Sequence, residues 1–169
     1  MNIREATAED TDAIWVIFQA VVKAGETYAF SPETSKDEFN RIWFAPGMKA
    51  FVAEEEGKII GSYFIKPNQP GLGSHICNCG YIVDEQQRGK GIGRQLCEHS
   101  LQLAKQLGYC GMQYNIVVST NTTAVDLWKR CGFRIIGTIP GGFKHTSWVM
   151  WTPLLCSGKS LNGCFQLRA

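Results

Sequence analysis

The chain has 169 residues, 44% of them apolar and 19% charged, with a mean hydropathy of −0.12, a composition that suits one folded domain and excludes general disorder. Seventeen Lys and Arg against fifteen Asp and Glu leave a charge of +2, too small to attract nucleic acid by bulk charge. No apolar run approaches the ~20 residues of a bilayer span, and Met1-Asn2-Ile3-Arg4-Glu5 has no apolar signal core, so a cytoplasmic protein with no membrane or nucleic-acid partner is expected.

Residues 2–7 alternate as a short strand. Thr7 precedes a helical pattern in which Ile14, Ile17, Phe18, Val21 and Val22 share one face, ended by Ala24-Gly25. Ser35 to Phe44 reads as a second helix, with Ser35 and Glu38 spaced as a capping box. Lys49–Glu54 and Lys58–Ile65 form a hairpin signal around Glu55-Glu56-Gly57. After a loop rich in Pro and Gly, His75 to Val83 is a strand, followed by the polar turn from Asp84 to Gly93. Leu96, Cys97, Leu101, Ala104 and Leu107 trace a third helix, and Met112 to Val118 is an apolar strand. A short helix follows from Asn121 to Arg130, and Phe133–Ile139 and Ser147–Trp151 close as strands. The order βααβββαβαββ predicts a mixed α/β (α+β) domain, a central sheet with helices on both sides. Residues 154–169 show no period and are expected to form an extension beyond a 1–153 domain.

The seven cysteines are odd in number and none forms a C-x-x-C pair, so reduced, packed thiols are expected. His75, Cys77 and Cys79 alternate on one strand face but lack the spacing of a structural zinc site, and no metal is expected.

The turn Gln86-Gln87-Arg88-Gly89-Lys90-Gly91-Ile92-Gly93 carries most of the chemistry. Glycines let backbone amides approach a ligand, and the helix start adds unsatisfied N–H groups and a positive dipole end. With Arg88, Lys90 and Arg94 nearby, this is an anion cradle suited to a pyrophosphate. A dinucleotide G-x-G-x-x-G starting at Gly89 fails because Arg94 stands at the third glycine, and the P-loop pattern is missing. A solvated turn with capping glycines is the alternative. Downstream, Asn121 to Phe133 is a capped amphipathic helix closed by Gly132, in which Asn121 also reads as a simple N-cap.

The two segments in this order resemble the GNAT N-acetyltransferase superfamily. Gln86, Gly89 and Gly91 match its Q/R-x-x-G-x-G/A pattern, and Asn121, Ala124, Leu127, Gly132 and Phe133 match its N-x-x-A-x-x-L-Y-x-x-x-G-F pattern. The opening strand leading to Asp10 is also similar, so the likeness covers about residues 2 to 153. It implies a mostly antiparallel sheet splayed between its fourth and fifth strands. It also implies transfer of acetyl from acetyl-CoA to an amine without a covalent enzyme intermediate. Carried over, the backbone of Arg88, Gly89, Lys90, Gly91, Ile92 and Gly93 holds the pyrophosphate, and Ile82 and Val83 pair with the pantetheine arm. Asn121 is the catalytic and coenzyme-binding residue near the sulfur. Trp128 departs from the family, which often has a thiolate-protonating Tyr there; an indole N–H is no practical acid. Solvent, Asn121 or another group then serves the leaving thiolate. The base is open among Glu26, Glu55, Asp84, His145 and a water chain. A non-catalytic CoA-binding sensor or interaction module is the reading from another class, a peptide or aminoglycoside acceptor is the alternative within the enzyme class, and a homodimer is expected by family analogy alone.

A narrower resemblance is carried by Ser62 to Gly71, Ser74 to Gly80 and Tyr114 to Val118. These segments are similar to a yeast branch of the family acting on azetidine-2-carboxylate and related proline analogues. It implies that Asn78 and Asn115 face a small amino or imino acid acceptor. A neutral amide donates to a carboxylate and accepts from an amine. The alternative is that each asparagine satisfies a bulge or neighbouring backbone. Phe143-Lys144-His145 is expected to reach the site from the late loop.

Overall fold

The structure, a computed structural model, describes residues 1–144 and 151–161, with backbone only for 151–157. In chain order the elements are β1 (Asn2–Glu5), α1 (Thr11–Lys23), α2 (Lys36–Trp43), β2 (Lys49–Glu55), β3 (Lys58–Pro67), β4 (Ile76–Val83), α3 (Ile92–Gln106), β5 (Gly111–Val118), α4 (Thr122–Arg130), β6 (Arg134–Lys144) and β7 (Trp151–Ser160). This is the order expected from the patterning. The Ser35 capping box forms as its spacing predicts: Glu38 N–H donates to Ser35 Oγ, and Ser35 N–H to the Glu38 carboxylate.

One sheet runs β1-β2-β3-β4-β5-β7-β6. Every pairing is antiparallel except β4 with β5. Side-chain alternation sends neighbouring residues to opposite faces. Phe51, Tyr63, Cys77, Cys79 and Met112 pack against Leu96, Cys97 and Ala104 of α3, with Val125 and Trp128 of α4 at the edge. Val52, Phe64 and Ile82 pack on the other face against Ile14, Phe18 and Val22 of α1 and Phe39 and Trp43 of α2. Trp43 donates to Ser62 Oγ, which donates to the Phe51 carbonyl, so the buried indole and hydroxyl between α2 and the sheet are paired.

The end of the chain corrects the expected pattern. β7 continues through Leu154 to Ser160, across the boundary placed at 153/154, and Leu161 is buried in the core. Pairing with β5 on one side and β6 on the other supplies its ladder bonds. That pairing holds Cys156-Ser157-Gly158-Lys159 extended although the segment has no apolar period. Of the strand expected at Ser147–Trp151, residues 147–150 lie outside the described residues, as does His145.

Candidate active site

The β4–β5 pairing is short. It holds at Ile76–Gly111 and Cys77–Met112, and beyond these residues the ladder stops. One side-chain bond crosses just past this point: Asn78 Nδ2 donates to the Gln113 carbonyl at 2.8 Å. The strands part above it. Two open strand edges inside a domain call for partners, because unpaired backbone polar groups are costly away from water. A cavity of about 910 Å³ occupies the gap. Its walls come from Cys79–Val83 of β4, Tyr114 and Ile116–Val118 of β5, the turn before α3, the start of α4, and Glu26–Tyr28 of the α1–α2 loop.

The turn at the wide end has the backbone of an anion cradle. Gly89 and Gly91 have φ of +81° and +79°, which L side chains rarely adopt, and a Cβ at either would meet nothing within 4 Å. The approach to their amides is therefore open. Gly91 is the N-cap of α3, whose first turn holds no acidic residue, so its free N–H groups and dipole act on whatever lies in front. Arg88, Arg94 and Arg130 also line the cavity. Arg94 is paired with Glu98 and Arg88 with Glu85, both exposed.

Of the residues expected to hold the coenzyme, Ile82, Val83, Arg88, Gly89, Gly91, Ile92, Gly93 and Asn121 line this one cavity. Lys90 does not; its Nζ donates to Gln87 Oε1 at 2.7 Å. Asn121 caps α4, its Oδ1 accepting from Ala124 N–H at 3.1 Å, which leaves its amide NH₂ to donate. The expected acceptor residues border this cavity without lining it. Asn78 and Asn115 lie at the closed end of the gap and are not wall residues. Asn115 Nδ2 donates to Asn68 Oδ1, and its own Oδ1 accepts from Gln113. Of the four bases considered, Glu26 is on the wall, whereas Glu55 pairs with the N-terminal amine and Asp84 with Lys58, both off it.

The floor below Trp128 is aromatic. Its ring lies 5.0 Å from Tyr81 and 4.8 Å from Tyr114, centre to centre. The hydroxyls beneath have a fixed polarity. Ser100 Oγ donates to the Cys97 carbonyl, so it accepts from Tyr81, which in turn accepts from Tyr114. Burial raises the pKa of both phenols well above its ordinary value. Their protons point into the core, and neither tyrosine is set to act as the acid that Trp128 cannot be. Cys79, also on the wall, is held as a neutral thiol by burial and by neighbouring Cys77. A buried thiol is a poor nucleophile. These contacts join β4, β5, α3 and α4 across the fold, and no local spacing announces them.

Parted parallel strands ending in a glycine cradle have the shape and the donors to take an extended, phosphorylated ligand. The model of the Acetyltransferase (GNAT) family matches residues 14–133, and the chain belongs to that family. A solved GCN5-related N-acetyltransferase from Kribbella flavida superposes with a TM-score of 0.90 at 36% identity, covering 95% of this chain and 97% of that one. The L-methionine sulfoximine/L-methionine sulfone acetyltransferase of Pseudomonas paraeruginosa is 31% identical over 157 residues, 88% of this chain and 89% of that protein. The N-acetyltransferase aca1 of Schizosaccharomyces pombe is 31% identical over 134 residues, 70% of this chain; the match spans 64% of its length, under two thirds.

Proposed function

We propose that this protein is an N-acetyltransferase that passes acetyl from acetyl-CoA directly to the amine of a small amino or imino acid. The observation that carries this reading is the gap between β4 and β5, closed at one end by Asn78 and opening at the other onto the cradle. Amides of residues 88–93 take the pyrophosphate. The free edges of β4 and β5 pair with the pantetheine amides, and the thioester lies over Gly80–Tyr81. A β4 backbone N–H meets the developing oxyanion; one such donor contributes about 3 kcal/mol in other acyl-transfer sites. The neutral Cys79 argues against an acyl-enzyme. A CoA-like thiol has a pKa of about 8–9 if it resembles cysteine, so the thiolate leaves with the Asn121 amide and solvent and needs no strong acid.

A small acceptor is supported by the amino acid analogues named for the Pseudomonas relative. It is also supported by the polar cluster at the closed end. Lys66 sits opposite Asn78 in the β3–β4 register, with its Nζ 5.8 Å from the Phe64 ring centre, and forms no ion pair among the described residues. Lys66, Asn78 and Asn115 supply one cation and two amides to an acceptor carboxylate. The azetidine-2-carboxylate branch belongs to this proposal, and a proline analogue is its sharpest form. The test is thiol release from acetyl-CoA with a panel of amino acids, imino acids, proline analogues and short peptides. Turnover of amino or imino acids is expected. Turnover of peptides alone overturns the acceptor class; acetyl-CoA binding with no turnover of any amine makes the protein a coenzyme-binding module.

A further inference from the structure

The acetyl-transfer reading leaves the acceptor's proton without a destination. An aliphatic amine with a lysine-like pKa of about 10 is mostly ammonium near neutrality and must lose a proton before it attacks. Among the described residues, the cavity wall holds one carboxylate, Glu26, whereas its guanidinium groups lie at the turn, in the first turn of α3 and at the end of α4. Glu26 is exposed and makes no hydrogen bond or ion pair among the described residues. Next to it, Thr27 Oγ1 is buried with no hydrogen-bond partner, although Thr27 too is a wall residue. A buried hydroxyl without a partner in the protein points to one from outside it.

The loop that carries both groups is fixed over the strand where the thioester would lie. The Tyr28 hydroxyl donates to the Tyr81 carbonyl at 2.9 Å. Gly80 makes this approach possible, since a Cβ there would stand 3.1 Å from the Tyr28 oxygen and 2.5 Å from the Phe64 ring. The carboxylate is thus tied by two residues of chain to the backbone of β4, and solvent reaches it from the other side.

We propose that Glu26 removes the acceptor's proton, and that Thr27 Oγ1 accepts a second N–H to aim the lone pair. This deepens the acetyl-transfer reading and rests on it. The acceptor enters as an ammonium ion paired with Glu26. One N–H proton passes to the carboxylate, and the nitrogen lone pair forms the N–C bond at the thioester carbon. As the intermediate collapses, the C–S electron pair leaves on sulfur and the second N–H proton passes through solvent to the thiolate, so the products are the neutral amide and the thiol, and Glu26 returns its proton to solvent. The substrate class is an aliphatic primary or secondary amine that is cationic in solution.

The test compares wild type and Glu26→Gln with two acceptors, the best aliphatic amine of the panel and a weakly basic aryl hydrazine that is already neutral. The substitution is expected to lower kcat/KM by roughly 10²-fold for the aliphatic amine and by under about 3-fold for the hydrazine. Acetyl-CoA affinity and melting temperature should be unchanged in both proteins. Equal losses with both acceptors, or no loss with either, overturn the proposal alone. A wild-type protein silent with both acceptors overturns the acetyl-transfer reading and the proposal with it.

Discussion

At Gly80 the Tyr28 hydroxyl, the Phe64 ring and the strand backbone converge, and only a residue without a side chain fits between them. Gly80→Ala should therefore cost about 1–3 kcal/mol by overpacking, read as a lower urea midpoint. Tyr28→Phe should cost about 1 kcal/mol through the lost bond to Tyr81. In the double variant the two losses should sum to more than the observed loss, because the first already frees the loop. At the closed end, Lys66→Met should raise KM for an amino acid by about 10-fold or more while kcat holds, as for a charged hydrogen bond made equally in ground and transition states. A carboxamide version of the same acceptor should not distinguish the two proteins. Residues of this kind are unevenly legible in the sequence. Gly89 and Gly91 declare themselves by spacing, since their chemistry is that of a local turn. Tyr81, Tyr114 and Ser100 do not, because a hydroxyl chain spanning β4, β5 and α3 leaves no trace in any one segment. Asn78 and Asn115 stood out as amides in apolar strands, and their contacts in the structure are to Gln113 and Asn68.

Elements are legible in the sequence where their signal is local. The Ser35 capping box and the glycine after α1 mark helix ends, whereas β7 carries no such mark because its extended form depends on neighbours on both sides. The junction between β1 and α1 shows what pins an element to the sheet. Arg4 donates two bonds to the Asp10 carboxylate, at 2.7 and 2.8 Å, and Thr7 N–H donates a third. The Arg4 bonds come first among the causes that lower the Asp10 pKa to about 2. Because the folded-state value lies below the ordinary carboxylate range, this stabilisation is full above about pH 4 and is lost as the pH falls toward 2. Asp10→Asn should cost about 2 kcal/mol at neutral pH. The gap in urea midpoint between the two proteins should narrow between pH 5 and pH 2. A gap that stays constant over that range would assign the stabilisation to something other than the charge.

For the whole molecule, one topological fact organises the rest: a single parallel pairing in an otherwise antiparallel sheet, which opens after two residue pairs. Helices α1 and α2 pack on one face of the sheet and α3 and α4 on the other, and the cavity between the strands is lined by both the cradle and Glu26–Tyr28. The described residues contain no helix long and apolar enough to cross a membrane. The most direct measurement of this account is a calorimetric titration of acetyl-CoA beside S-acetylpantetheine, which carries the same thioester and arm without the pyrophosphate. Two or three charge-assisted hydrogen bonds from the 88–93 amides, each contributing about 1.5–3 kcal/mol, should make acetyl-CoA bind at least roughly 10²-fold more tightly. Equal affinity for the two ligands, or no uptake of acetyl-CoA, would contradict it.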